Sequence, residues 1–344
     1  MEHRSNGITE QPNTPTLRYP ENPALLHMGK QSNETVLERE LQRLSGLKVK
    51  VAEPLARYTS MKIGGPADYF IEVEKGAALA LLLPILGQHG VAFCLLGNGS
   101  NVLISDRGVR GAVIRLTGEF KRLQWQEEGE GVWAMVGAAC AVTQLVRAAA
   151  RKGFTGLEFA EGIPGSVGGA LIMNAGAYGS EFEKVVDRVE GVTSDGRVNE
   201  LSRNQIRFSY RGSDLPQGMV VTGLRLRLGK AQVAEVSGRV RELVGKRKQS
   251  QPSGFPNSGS MFRNPPGDFA GRLIEAAGLK GTRIGQSEIS QRHANFIVNL
   301  GSARAQEVHQ LMELARREVK ARFGVELIPE VRLLGEWDTK EAEQ

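Results

Sequence analysis

Residues 158–179 read EFAEGIPGSVGGALIMNAGAYG. The stretch sets six glycines and one proline around an apolar spine, with Glu158 and Glu161 as its only charges. Glycine is unfavourable inside helices and strands alike, and it brings no side chain to a core. Such a concentration points to backbone lying close to another group, with φ > 0 available and consecutive N–H groups able to converge on an anion. A buried, phosphate-bearing cofactor accounts for it. Tight turns and close contacts in a strand-rich domain would give the same composition without one. Gly162, Ile163, Pro164, Gly165, Ser166, Gly169, Asn174 and Gly176 are the candidate cofactor residues of this stretch.

A second glycine loop lies upstream. VAFCLL at 91–96 reads as a buried strand, Gly97-Asn98-Gly99-Ser100-Asn101 follows at once, and 102–104 resume an apolar run. A strand ending in free amides with Ser and Asn side chains suits a pyrophosphate. A Rossmann site would need G-x-G-x-x-G opening a helix. Here the third glycine is absent and strand-like residues follow, which points to a different dinucleotide fold.

Working outward, YTSMKIGGPADYF at 58–70, GNGSNVLI at 97–104, the 162–179 stretch, Tyr210-Arg211-Gly212-Ser213, Gly259-Ser260-Met261-Phe262 and Pro329-Glu330-Val331 occur in that order. Together, from about 44 to 337, they resemble the UDP-N-acetylenolpyruvoylglucosamine reductases, FAD-dependent enzymes of bacterial peptidoglycan precursor synthesis. The resemblance implies an α+β protein. Its FAD-binding fold would have two subdomains, of the vanillyl-alcohol-oxidase/PCMH type, and a C-terminal α+β substrate domain would follow. It implies FAD as cofactor, NADPH as hydride donor and UDP-N-acetylglucosamine enolpyruvate as substrate. Only a hairpin-like segment and one helix separate Arg211 from Ser260, as in the shorter, second type of the family. The glycine loops offer Asn and Ser rather than His or Cys, so the flavin is expected to be non-covalent.

The same resemblance assigns the candidate chemistry. Ser260, in the family pattern G-S-x-F, is the candidate proton donor, with Ser258 as a neighbouring rival. Without the family match, a turn serine bonded to backbone would be the ordinary reading. Glu330, whose pKa burial could raise, would help to stabilise an enol, though an edge-strand carboxylate is otherwise a solvated charge. Arg211 could grip a carboxylate bidentately or form a surface ion pair. Lys248, Asn264, Gln286 and Tyr210 are the candidate substrate contacts, and Lys246 or Arg247 could share the phosphate work. Lys62 and Gly64 are expected beside the flavin; at position 62 arginine would be unsurprising, and lysine changes the hydrogen-bond geometry. His293, within QSEISQRHANFIVN at 286–299, reads as structural.

Bulk properties narrow the remaining classes. A chain of 344 residues with 40% hydrophobic content suits two or three domains. Net charge of +6 is spread along the chain, without the basic stripe and aromatic platforms of a nucleic-acid binder. Cys94 and Cys140 read as buried small hydrophobes, and the five scattered histidines suggest no metal site. No 18-residue apolar run marks a membrane span. The N-terminus lacks a signal-peptide core, so a cytoplasmic monomer is expected.

The expected organisation is a mobile extension at 1–35, an FAD module at 36–228 split near 74 into 36–74 and 75–228, a substrate domain at 229–337, and a tail at 338–344. Helices are expected at 77–89, 142–152, 270–277 and 303–323, with an apolar stripe from Val233 to Val244 and a closing strand at 325–334. Two other readings stay open: another FAD oxidoreductase of the same fold, and a nucleotide-binding regulator without chemistry. The regulator would be expected to have lost Ser260, Glu330 or Arg211, and all three are present.

Overall fold

The computed structural model describes residues 35–129 and 131–337. Apart from Thr35, the expected N-terminal extension and the C-terminal tail lie outside the described residues.

The first sheet runs in the order Leu47–Pro54, Pro66–Val73, Val109–Leu116, Phe93–Leu95. Its first pair is antiparallel and the other two pairs are parallel. Helix Gly76–Gln88 covers one face through Ala78, Leu79, Leu82, Leu83 and Leu86, the i, i+3, i+4 stripe of an amphipathic helix. Pro84 is accommodated within it. The other face buries Leu55, Phe70, Val113 and Leu334. The break expected near 74 falls inside this unit. Two antiparallel strands alone could not bury an apolar face, and the helix and two parallel strands complete the layer. VAFCLL is also less than expected: only Phe93–Leu95 is strand, on the sheet edge, with Leu95 exposed.

The second sheet is antiparallel, in the order Val198–Ser202, Val186–Val192, Val220–Lys230, Gly131–Gly137, Leu123–Glu128. The Ser194-Asp195-Gly196 signal does join a hairpin, with Gly196 at φ 84°. Leu224, Leu226 and Leu228 face the core, while the Arg225 and Arg227 guanidinium groups lie over the Trp133 ring. Helix Val142–Arg151 packs beneath through Leu145, Val146 and Ala149. Helix Val233–Ser250, grouped with the C-terminal residues by a division after 228, contacts helix Val142–Arg151 and the turn Glu158–Ala160. Its expected stripe is partly covered: Val236 is buried, Val240, Leu243 and Val244 are half-buried, with Val240 against the second core, and Val233 is exposed.

A third cluster joins helices Ala270–Ala276 and Ala305–Phe323 to the small antiparallel sheet Arg283–Ile284, Ser287–Ile289, Ile297–Asn299. The long helix buries Val308, Leu311, Met312, Ala315 and Val319 and ends at Gly324, φ 68°, the left-handed cap that glycine permits. The closing strand is shorter than 325–334. Only Arg332–Leu334 is strand, and it pairs in parallel with Val102–Ile104, directly after the first glycine loop. That return of the chain builds the site.

Candidate functional site

The two glycine loops adjoin. Ser100 Oγ donates to the Pro164 carbonyl at 3.0 Å. A Cβ on Gly97 would lie 2.5 Å from Ser166 Oγ, and one on Gly165 2.9 Å from Ser100 Oγ. Gly99 has φ 61°, and a Cβ there would collide with the Tyr58 carbonyl. Among the described residues, the backbone N–H groups of 97–101, Gly162, Gly165 and Ser166 have no acceptor in the protein. Unpaired amides on two touching loops need an outside acceptor, and a diphosphate fits that donor set. Ser166 caps the helix Val167–Ile172 by accepting from Gly169 N at 3.3 Å, and Ile163 packs against the second core. Arg57, Lys62, Asn98 and Arg115 line a cavity of about 280 Å³ beside the first loop. Lys62 takes φ 59° and Gly64 φ 147° where this wall turns.

Asn174 and Gly176, expected at the cofactor, have structural partners in the protein. Asn174 is fully buried, its Nδ2 donates to the Ser209 carbonyl at 3.2 Å, and its Oδ1 accepts from Glu183 N at 3.0 Å. With both amide ends used internally, it braces the hairpin that carries Arg211. Gly176 pairs with Glu181 in a two-stranded ribbon.

That hairpin, Arg207–Ser209 with Gly212–Asp214, turns through Tyr210 and Arg211, the latter at φ 59°. Arg211 Nε donates to Glu330 Oε1 at 2.7 Å, and its guanidinium lies 4.9 Å from the centre of the Tyr210 ring. Burial raises the Glu330 carboxyl pKa above its ordinary value, while Arg211 and Arg263 pull it back. The main chain of Glu330 is held from two sides: its N donates to Met261 O at 2.8 Å, and its O accepts from Asn101 Nδ2 at 3.1 Å.

The Met261 carbonyl ties Glu330 to Ser260. Gly259, at φ 78°, turns the loop so that Ser260 is half-buried, and no hydrogen bond engages its hydroxyl among the described residues. Ser258 is buried, with its Oγ against Met61 Sδ at 4.0 Å. The loop is anchored by Ser60 Oγ donating to Asn257 O at 2.7 Å. Asn295 supports the segment beyond: its Oδ1 accepts from Phe262 N at 3.0 Å, its Nδ2 donates to Phe262 O at 2.8 Å, and its carbonyl accepts from Met261 N at 2.8 Å.

Ser260, Glu330, Arg211 and Asn101 thus meet through direct bonds or adjacent residues. Other expected residues do not join them through such bonds. Asn264 Oδ1 accepts from Ala270 N and so caps helix Ala270–Ala276. Gln286 sits on an exposed hairpin turn, its N donating to Glu307 Oε2. Lys248 is exposed on the last turn of helix Val233–Ser250, and Lys246 pairs with Glu242. Arg247 Nη1 donates to the Gly162 carbonyl at 2.6 Å. His293 is structural as expected: Nδ1 accepts from Asn295 N, burial lowers its pKa, and the ring packs on Phe296. The sequence reading missed Asn295 and Arg263, since a lone Asn or Arg carries no pattern. Among the described residues no cluster of His, Cys, Asp and Glu could hold a metal, and no helix is long and apolar enough to cross a membrane.

Touching glycine loops with free amides, set before a third α+β cluster that supplies a serine and a half-buried carboxyl, define an FAD-dependent oxidoreductase. Residues 67–202 match the family described as FAD binding domain. Residues 251–334 match the UDP-N-acetylenolpyruvoylglucosamine reductase, C-terminal domain. The chain is 46% identical over 290 residues to UDP-N-acetylenolpyruvoylglucosamine reductase 2 of Symbiobacterium thermophilum, covering 84% of this chain and 92% of the relative. The reductase of Rubrobacter xylanophilus is 46% identical over 298 residues, covering 86% and 98%. The crystal structure of the Thermus caldophilus UDP-N-acetylenolpyruvylglucosamine reductase superposes with a TM-score of 0.71 at 38% identity, over 84% of this chain and 98% of that one. The chain belongs to the UDP-N-acetylenolpyruvoylglucosamine reductase family.

Proposed function

We propose that this protein reduces UDP-N-acetylglucosamine enolpyruvate to UDP-N-acetylmuramate for peptidoglycan synthesis, with NADPH as reductant. The observation that carries this reading is the Arg211–Glu330 pair, fixed beside Ser260 and tied to the first glycine loop through Asn101. Bound FAD would supply hydride chemistry, taking a hydride from the nicotinamide and giving it to C3 of the enolpyruvyl group.

The residues do the rest. The free amides of 97–101, Gly162, Gly165 and Ser166 would hold the flavin diphosphate, and Lys62 and Asn98 would border it. Arg211, with Nε on Glu330, keeps its remaining N–H donors for the substrate carboxylate. Glu330 retains its proton to higher pH than an exposed glutamate and can donate a hydrogen bond to the enolate oxygen that develops. The Ser260 hydroxyl supplies the proton to C2; it is a weak acid, but the carbon receiving the proton is a strong base. Tyr210, Lys248, Asn264 and Gln286, the contacts that the family resemblance implies, are assigned to the UDP-sugar. A cytoplasmic monomer without nucleic-acid or membrane partners belongs to the same reading, as does membership of the shorter type.

The test is anaerobic and in two steps. NADPH should bleach the flavin band, and the enolpyruvyl substrate should restore it. Ser260→Ala should leave the first step near normal and slow the second by about 10²–10⁴. Equal slowing of both steps would remove Ser260 from the proton transfer. Reoxidation by oxygen alone would make the protein an oxidase of the same fold, and failure to take up flavin would undo the reading of both loops.

A further inference from the structure

Asn101 stands where the first glycine loop meets the C-terminal segment, just ahead of the parallel pairing of Val102–Ile104 with Arg332–Leu334 and the Ser105 N to Leu334 O bond. It is the last residue of the glycine loop, and its own N–H is one of the amides without an acceptor in the protein. Its side chain turns the other way, with Nδ2 donating to the carbonyl of Glu330 at 3.1 Å. Its carbonyl accepts from Arg332 N at 3.0 Å, and the next residue, Val102, begins the parallel pairing with Arg332. A single residue therefore grips the chain on both sides of position 331. The opposite grip comes from Met261 O on Glu330 N.

We propose that Asn101 is a positioning residue that couples occupancy of the glycine loop to the placement of Glu330. This rests on the function proposed above. A ligand that engages the free amides of 97–101 restrains the loop backbone. Through the two Asn101 bonds, that restraint reaches residues 330–332 and sets the carboxyl against Arg211. Without the ligand, the loop amides are unpaired in the protein and hold the 330–332 segment less firmly. The Asn101 side chain is well suited to this: it has one donor group committed to a main-chain carbonyl, so it fixes the peptide of Glu330 without competing for the carboxyl.

The experiment uses the full chain, stripped of FAD and then reloaded. Hydrogen exchange of a peptide spanning 330–334 should slow on FAD loading together with that of 97–101. Asn101→Ala keeps the loop N–H, so the loss in reoxidation by the enolpyruvyl substrate should exceed any change in FAD affinity or in reduction by NADPH. Reoxidation by the enolpyruvyl substrate should be about tenfold slower, the loss expected for one hydrogen bond that orients a reacting group. Asn101→Gln, which keeps the amide on a longer arm, should recover part of that loss. Exchange at 330–334 that ignores FAD while 97–101 is protected would overturn the coupling and leave the enzyme reading intact. An unchanged reoxidation step in Asn101→Ala would do the same. If the wild-type chain takes up no FAD at all, the function reading fails and the coupling goes with it.

Discussion

Replacing Asn295 by alanine separates the support of the serine segment from its chemistry. Among the described residues the Asn295 side chain is the only partner of Phe262 N and Phe262 O, and Phe262 is 2% exposed. Truncation would leave a buried donor and a buried acceptor unpaired, each costing about 1–3 kcal/mol. Some relaxation or water entry offsets part of this, so a loss of about 3 kcal/mol is expected. Urea unfolding at constant slope should show it as a lower midpoint. Asn295→Asp keeps the acceptor for Phe262 N but sets a carboxylate against Phe262 O, so it should also destabilise. The same segment carries Met261, whose carbonyl holds Glu330 N. The enolpyruvyl half-reaction should therefore slow in the folded fraction, while flavin reduction by NADPH stays close to normal. A variant with unchanged urea midpoint and unchanged second half-reaction would refute the idea that this side chain carries the segment.

Three further outcomes follow from the geometry. Burial raises the folded-state pKa of Glu330, so its stabilising contribution is present below the unfolded value and is lost as pH rises through the raised value. The second half-reaction should fall over the same rise, and Arg263→Met, removing one of the charges that pull the pKa back, should move that limb to higher pH in a pH–rate profile. Gly99→Ala places a Cβ at φ 61° against the Tyr58 carbonyl; on the order of 1–2 kcal/mol of backbone strain plus the clash should weaken FAD binding at least about tenfold, read by titration of flavin fluorescence. Burial pushes the Cys94 thiol up to about 11 and also raises that of Cys140, so thiol reagents at pH 8 should label neither in the folded protein, and rapid labelling of either would contradict their packing.

The fold class was legible because its signals are local. Glycine loops, the hairpin at Ser194-Asp195-Gly196 and the stripe from Val308 to Val319 each declare themselves over a few residues. What escaped was non-local. The parallel pairing of Arg332–Leu334 with Val102–Ile104 joins segments some 230 residues apart, and no periodicity in either announces the other. The helix Val233–Ser250 and its stripe were legible, but the partner was not: Val236 and Val240 turn to the second cluster rather than to the C-terminal residues that follow in sequence. Asn174 was placed at the cofactor because it sits within the glycine stretch, yet its side chain points inward to Ser209 and Glu183. A short polar residue near φ 38° is as suited to bracing a turn as to binding a ligand, and composition does not separate the two.

The site divides its parts by how firmly they are held. Ser260 and Glu330 belong to neighbouring segments joined by main-chain bonds: Met261 O takes Glu330 N, Arg263 N donates to Ile328 O, and Phe262 bridges Pro329. Such bonds fix the Ser260 segment against the Glu330 carboxyl whatever ligand arrives. Arg211 comes from another cluster, on a two-residue turn, and reaches Glu330 by a side-chain ion pair alone. An ion pair of this kind is replaceable. A substrate carboxylate arriving beside Glu330 competes for the same guanidinium, and sharing Arg211 removes part of the charge that holds the Glu330 pKa down. The added negative charge acts in the same direction. Binding would thus favour the protonated form of Glu330, the form that can donate to an enolate oxygen, so in the proposed function the group that recognises the substrate would also prepare the group that stabilises its intermediate.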